Sequence, residues 1–314
     1  MYSKLFLRVS YAAVALFSAT MMINCAQLGL ESEDEDDNDL TIALLAAAAV
    51  LNSPVKLNFN IVSGTQNVRC GTNFTVTKAV NGSTTRTMNP QDLRFYISNL
   101  RMIGADGVSQ YAVNFANDGV WQYEGAALLD FEDGTGSCVG SSSINTSISG
   151  ITTAASYSGV IFDLGLPTAL NQLSNSTSPS PLNVNAMYWS WASGYKFTRL
   201  EFSDTGTGNI VRSHLGSQNC GGNISTNSCA NPFRSEVRVT TTSGFNPVTG
   251  TIALDLNEFM NNFDATGGSL SCMPLKGHGA ATAGELANCP KLLTQVGLDS
   301  GGQATGSQTT FVIQ

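Results

Sequence analysis

Charge is scarce in this 314-residue chain: Asp, Glu, Lys and Arg together make up 12% of it. Long helices with charged outer faces are therefore not expected, and the abundance of Gly, Ser, Thr and Asn favours strands joined by turns. Lys and Arg total 15 against 23 Asp and Glu, a net charge of −8, so the basic surplus that nucleic-acid binding needs is missing. Histidine is almost absent, with only His214 and His278, and tryptophan occurs three times. There is no H-E-x-x-H, no G-x-S-x-G and no phosphate-binding glycine loop, which leaves hydrolase and nucleotide-dependent enzyme readings without support. C-x-x-C and C-x-x-C-H are missing too, so neither a thioredoxin-type redox centre nor a self-held c-type haem is expected. No catalytic residue suggests itself, and the expectation is a protein that is not an enzyme.

What is present begins with an export signal. Lys4 and Arg8 form a basic start, and Tyr11 to Ile23 is an apolar core that ends at Asn24-Cys25-Ala26. Residues 1–24 read as a lipoprotein signal peptide, with Cys25 as the lipidation site and Met22 where leucine is usual. Residues 25–53 read as a tether. Its acidic run, Glu31, Glu33, Asp34, Glu35, Asp36, Asp37 and Asp39, holds seven of the 23 acids and leaves 16 acids against 13 bases elsewhere, once the two signal bases are set aside. The apolar stretch Leu40 to Leu51 is shorter than the roughly 20 residues that span a bilayer and reads as a short helix.

The folded body is expected over residues 54–314. Val55, Leu57, Phe59 and Ile61 alternate with mostly polar neighbours, the mark of a half-buried strand. Similar runs occur at residues 93–97, 157–164, 195–202, 236–242 and 249–256, separated by turn signals such as Asn81-Gly82, Asp106-Gly107 and Asp118-Gly119. Residues 256–263 read as one short helix. The expected fold is all-β, an antiparallel β-sandwich or barrel with long disulfide-bridged loops. Beyond Cys25 six cysteines remain, Cys70, Cys138, Cys220, Cys229, Cys272 and Cys289, which an oxidising compartment would pair. Sequence proximity suggests Cys220–Cys229 and Cys272–Cys289, leaving Cys70–Cys138, out of 15 possible pairings.

Two tryptophans stand two residues apart in Met187-Tyr188-Trp189-Ser190-Trp191. Such a cluster serves a core equally well, because aromatic side chains bury large areas. A hairpin of residues 195–202 and 209–215 would return His214 to the neighbourhood of Phe197. Asp130, Glu132 and Asp133 form an acidic loop that suits either calcium or a hydrogen-bonded turn; the spacing does not fit an EF-hand and favours the turn.

The segments Asp92–Ile97, Leu128–Gly136, Gly165–Pro167, Pro181–Asn183, Met187–Phe197, His214–Ser217 and Cys229–Pro232 resemble, in order, the MbnP family of exported copper-binding proteins, also called the metallo-mystery pair family. The tryptophan motif and the His-Leu-Gly-Ser run are its specific parts. The resemblance implies a β-rich domain holding one copper ion, and a tryptophan oxidised to kynurenine by a dihaem cytochrome c peroxidase-like partner. Carried onto this chain, it implies His214 as a copper ligand, with Trp189 or Trp191 as the residue oxidised. Met187 offers a soft thioether donor suited to Cu(I). Family members often carry histidine after the Leu-Asn pair of Leu170-Asn171-Gln172, where this chain has Gln172. His278 sits amid Gly and Ala and reads first as an exposed loop residue. The function expected is copper scavenging, storage or delivery by a protein lipid-anchored to a bacterial membrane, on its periplasmic face or at the cell surface. The alternative is a structural or adhesive surface lipoprotein that keeps the fold without the metal.

Overall fold

The alternation that begins at Val55 becomes the strand Asn52–Ser63, which buries Val55, Leu57, Phe59 and Ile61 on its inner face. The computed structural model describes residues 52–79, 84–190, 193–220, 229–273 and 281–314. Residues 1–51, with Cys25, the acidic run and the apolar stretch, lie outside the described residues, as do Trp191 and His278.

Two sheets carry the fold. In the first, the order is Phe311–Ile313, Thr251–Asp255, Asn52–Ser63, Ser147–Thr153 and Asn114–Phe115. In the second it is Ser235–Phe245, Tyr157–Leu164, Thr84–Gly104, Thr198–Asp204, Ile210–Ser213 and Leu270–Cys272. Neither closes on itself, so the fold is a sandwich and not a barrel. Its pairing is not wholly antiparallel: Asn52–Ser63 runs parallel to Thr251–Asp255, and Ile210–Ser213 runs parallel to Leu270–Cys272. Parallel neighbours require long crossovers, and these pairs are separated by more than 50 residues of chain, far beyond local turn signals.

Thr84–Gly104 is the spine of the second sheet. One of its edges carries Thr198–Asp204 and then Tyr157–Leu164 end to end; the other carries Ala126–Asp130 and Gln110–Ala112 in succession. The register slips where Pro90, which has no N–H to give the ladder, lies opposite Phe202. Between the sheets sits an aromatic core: Phe162 and Phe311 meet edge to face at 5.2 Å, Phe59 and Phe162 at 5.9 Å, and Phe95 and Phe311 at 6.1 Å. Such contacts add about 0.5–1.5 kcal/mol each beyond their buried area.

The three disulfides are Cys70–Cys138, Cys220–Cys229 and Cys272–Cys289, the pairing that proximity suggests. The helix expected over residues 256–263 is shorter, Leu256–Phe259, capped by the Asp255 carboxylate on the Asn257 N–H. A 13-residue helix, Ala283–Gln295, was not anticipated. It opens with a capping box in which Thr282 and Glu285 serve each other's backbone N–H groups. No helix among the described residues is long and apolar enough to cross a membrane.

Candidate metal centre

Four separated stretches of chain converge at one end of the second sheet. Tyr188–Ser190 and Gly194–Tyr195 form a small two-stranded hairpin, with Tyr188 opposite Tyr195 and their rings 5.0 Å apart. Gly194 turns the chain at φ +74°, and a Cβ there would fall 2.4 Å from the Asn171 carbonyl oxygen. Asn171 is buried, and its Oδ1 accepts the Tyr195 N–H at 2.9 Å. The turn that holds Leu170-Asn171-Gln172 is thereby fastened to the tryptophan hairpin.

The next residues join that hairpin to the histidine. Lys196 N–H donates to the Met187 carbonyl at 2.7 Å, and Phe197 N–H to the Leu215 carbonyl at 2.7 Å. The strands Thr198–Asp204 and Ile210–Ser213 pair with Leu200 opposite Ser213, which brings His214 back beside the start of the hairpin as its spacing predicts. Gly216 completes the contact. A Cβ there would lie 2.5 Å from the Tyr195 carbonyl oxygen and 2.6 Å from the Trp189 ring. Trp189 thus packs over the backbone two residues beyond His214. Met187 is fully buried and belongs to the hydrophobic core, so its aliphatic packing is accounted for without a ligand.

His214 is buried, and its surroundings are unusually ionic. Its Nε2 lies 2.9 Å from Glu201 Oε1, while its Nδ1 has no hydrogen-bond partner among the described residues. Burial holds the imidazole below its ordinary pKa; the Glu201 carboxylate opposes that shift, and Lys196 and Arg199 add to it. Burial works against ionising Glu201, yet hydrogen bonds from His214 and Arg199 bring it down to about 2. Lys196 is pushed down to about 8 by burial and by Arg199, with its ammonium on the Ala186 carbonyl at 2.7 Å.

A chain of charges runs away from this pair. Arg199 Nε lies 2.7 Å from Glu201 Oε1 and 3.1 Å from Asp92 Oδ2. Arg94 clasps both oxygens of Asp92, and its Nη2 lies 3.3 Å from Glu132 Oε2. Asp92, Arg94, Glu132, Glu201 and His214 are all buried. Asp130 and Asp133 do not gather around a cation site. Asp130 Oδ1 accepts the Glu132 N–H at 2.9 Å, and Asp133 Oδ1 accepts the Thr135 N–H at 2.9 Å. The acidic loop is the hydrogen-bonded turn, and Glu132 faces inward to Arg94.

Sequence reasoning passed over Asp92, Arg94, Arg199 and Glu201. Each pair is spaced i, i+2 on a strand, which sets both side chains on one face. That signal was readable, but a charged pair on one face of a strand ordinarily points to solvent. Among the described residues no three His, Cys, Asp or Glu side chains group as a metal cage. His214 offers one imidazole nitrogen, and the described residues build no His, Cys, Asp or Glu cage around it.

The MbnP family profile matches residues 52–274. Among solved structures, MbnP from Methylosinus trichosporium is similar at 22% identity and a TM-score of 0.65, over 83% of this chain and 98% of that one. No curated protein matches the chain. The tryptophan hairpin and the histidine lie inside the matched span, and the chain belongs to the MbnP family.

Proposed function

We propose that this protein binds copper outside the cytoplasm, for scavenging, storage or delivery, and is held to a membrane by a lipid on Cys25. One observation carries the reading: a buried imidazole, His214, beside the Trp189 hairpin, with a ring nitrogen that has no partner among the described residues. Imidazole suits copper, and a neutral ring has a lone pair to give. Membership of the MbnP family supports an extracytoplasmic protein and fits the export signal read in residues 1–24. His214 would supply one nitrogen, and Trp189 or Trp191, oxidised to kynurenine by a dihaem cytochrome c peroxidase-like partner, is the companion residue. Kynurenine brings an aniline nitrogen and a carbonyl that tryptophan lacks, donors that would add to the His214 nitrogen. Copper, once bound, supplies a Lewis-acidic and redox-active ion; the chain's own residues hold and bury the imidazole.

The test is to produce the domain with the partner oxidase, then measure copper per chain and sequence the tryptic peptide Met102–Lys196 by tandem mass spectrometry to locate any oxidised tryptophan. Unmodified Trp189 and Trp191 together with no bound copper would sink the reading. A second reading, a surface lipoprotein that keeps the fold and lacks the metal, is favoured by Gln172 at the position where relatives often have histidine. His214→Ala separates the two, since copper binding predicts lost metal affinity in a protein that still folds.

A further inference from the structure

The Glu201–His214 contact has a consequence for which nitrogen of the ring is free. Glu201 is buried between two guanidinium groups, with Arg199 Nε 2.7 Å from Oε1 and Arg212 Nε 3.5 Å from Oε2. A carboxylate so placed accepts hydrogen bonds and has none to donate. The proton on the 2.9 Å contact therefore belongs to His214 Nε2. In a neutral ring Nδ1 then carries the lone pair, and Nδ1 is the ring atom without a partner among the described residues. The opposite tautomer would set two lone pairs against each other across 2.9 Å and bury an unpaired N–H.

We propose that Glu201 is a positioning residue that fixes His214 as the Nε2–H tautomer, so that Nδ1 is the atom offered to a metal. Carboxylate partners do this for metal-binding histidines generally, fixing ring orientation and raising ligand basicity. Glu201 is itself held. Arg199 binds it and Asp92 together, Asp92 is clasped by Arg94, and Arg94 reaches Glu132. These carboxylates and guanidiniums form one connected series that ends on the imidazole. The choice of copper as the ion rests on the proposed function; the tautomer does not.

The experiment uses the metal-free mature protein with a Strep tag and His278→Gln, which leaves His214 as its one histidine. Two-bond nitrogen–proton NMR then reads the ring directly. The proposal expects a protonated Nε2 and a bare Nδ1 in this protein. It expects tautomer exchange in Glu201→Gln, with circular dichroism verifying the fold of the variant. Copper titration of the kynurenine-bearing protein from co-production should show affinity lowered by about 10–100-fold in Glu201→Gln. A protonated Nδ1 before any substitution, which needs no variant to fold, overturns the proposal. So does Glu201→Gln with both the tautomer and the copper affinity unchanged. A fixed Nε2–H tautomer in a protein that binds no copper upholds the role of Glu201 and overturns the copper reading alone.

Discussion

Replacing Glu132 by glutamine should stabilise the protein in alkaline solution relative to acid. Glu132 is 1% exposed, and neither of its carboxylate oxygens receives a hydrogen bond among the described residues. Its nearest compensating charge is Arg94, at 3.3 Å, which is already committed to Asp92, and Arg199 adds a weaker attraction. Burial therefore raises the carboxyl from its ordinary 4.5 to about 7; Arg94 opposes the rise, and Asp92 and Asp130 reinforce it. The folded protein binds this proton more tightly than the unfolded chain does. Stability from Glu132 is then complete below about pH 4.5 and is lost as pH climbs to about 7, beyond which the curve is flat. The gap corresponds to about 3 kcal/mol. Glutamine cannot ionise, so the variant lacks this loss, and its stability relative to the parent should grow by about 3 kcal/mol between pH 4.5 and 8. Asp130, pushed up to about 6 chiefly by burial, titrates in both proteins, so the difference between them is the quantity to read. Urea unfolding of the two proteins at several pH values in this window, followed by tryptophan fluorescence, measures it. Parallel pH profiles would refute the argument that Glu132 ionises at a cost in the folded state.

Two further substitutions probe the supports of the site. Replacing Cys70 and Cys138 by alanine opens a bridge across 68 residues of chain, which should cost about 4 kcal/mol on the chain-entropy account, read as a lower urea midpoint. Gly216→Ala drives a methyl group into the Trp189 ring and the Tyr195 carbonyl; it should destabilise by about 1–3 kcal/mol and shift the fluorescence maximum, and an unchanged spectrum would show that the ring does not rest there.

Much of this architecture was legible because it is local. Alternation exposed the strands Asn52–Ser63 and Tyr157–Leu164, and the turn Ser203–Gly208 predicted the hairpin that returns His214 to Phe197. Cysteine parity and proximity led to the observed disulfides. The helix Ala283–Gln295 has a start signal in Thr282 and Glu285, but it contains Pro290, a residue that ordinarily ends or kinks a helix. The parallel pairs had no local signal at all, since each joins strands that are distant in sequence.

The ionic support shows a sharper limit. Asp92 and Arg94 project to one face of their strand while Leu93 and Phe95 project to the other, an alternation that ordinarily marks a solvated face. Here both faces are buried, because the loop after Asp130, tied by Cys138 to Cys70, brings Glu132 in against the charged side. Burying a guanidinium is tolerable only with carboxylates in reach, and each further carboxylate then needs a cation of its own. Arg94, Asp92, Arg199 and Glu201 satisfy this requirement one after another, and the series closes on His214, a side chain that can pair with Glu201 through one nitrogen without becoming charged. At the other end Glu132 stays under-satisfied. The charged series thus ends on one side at a satisfied imidazole contact and on the other at a carboxylate whose burial should appear as pH-dependent stability.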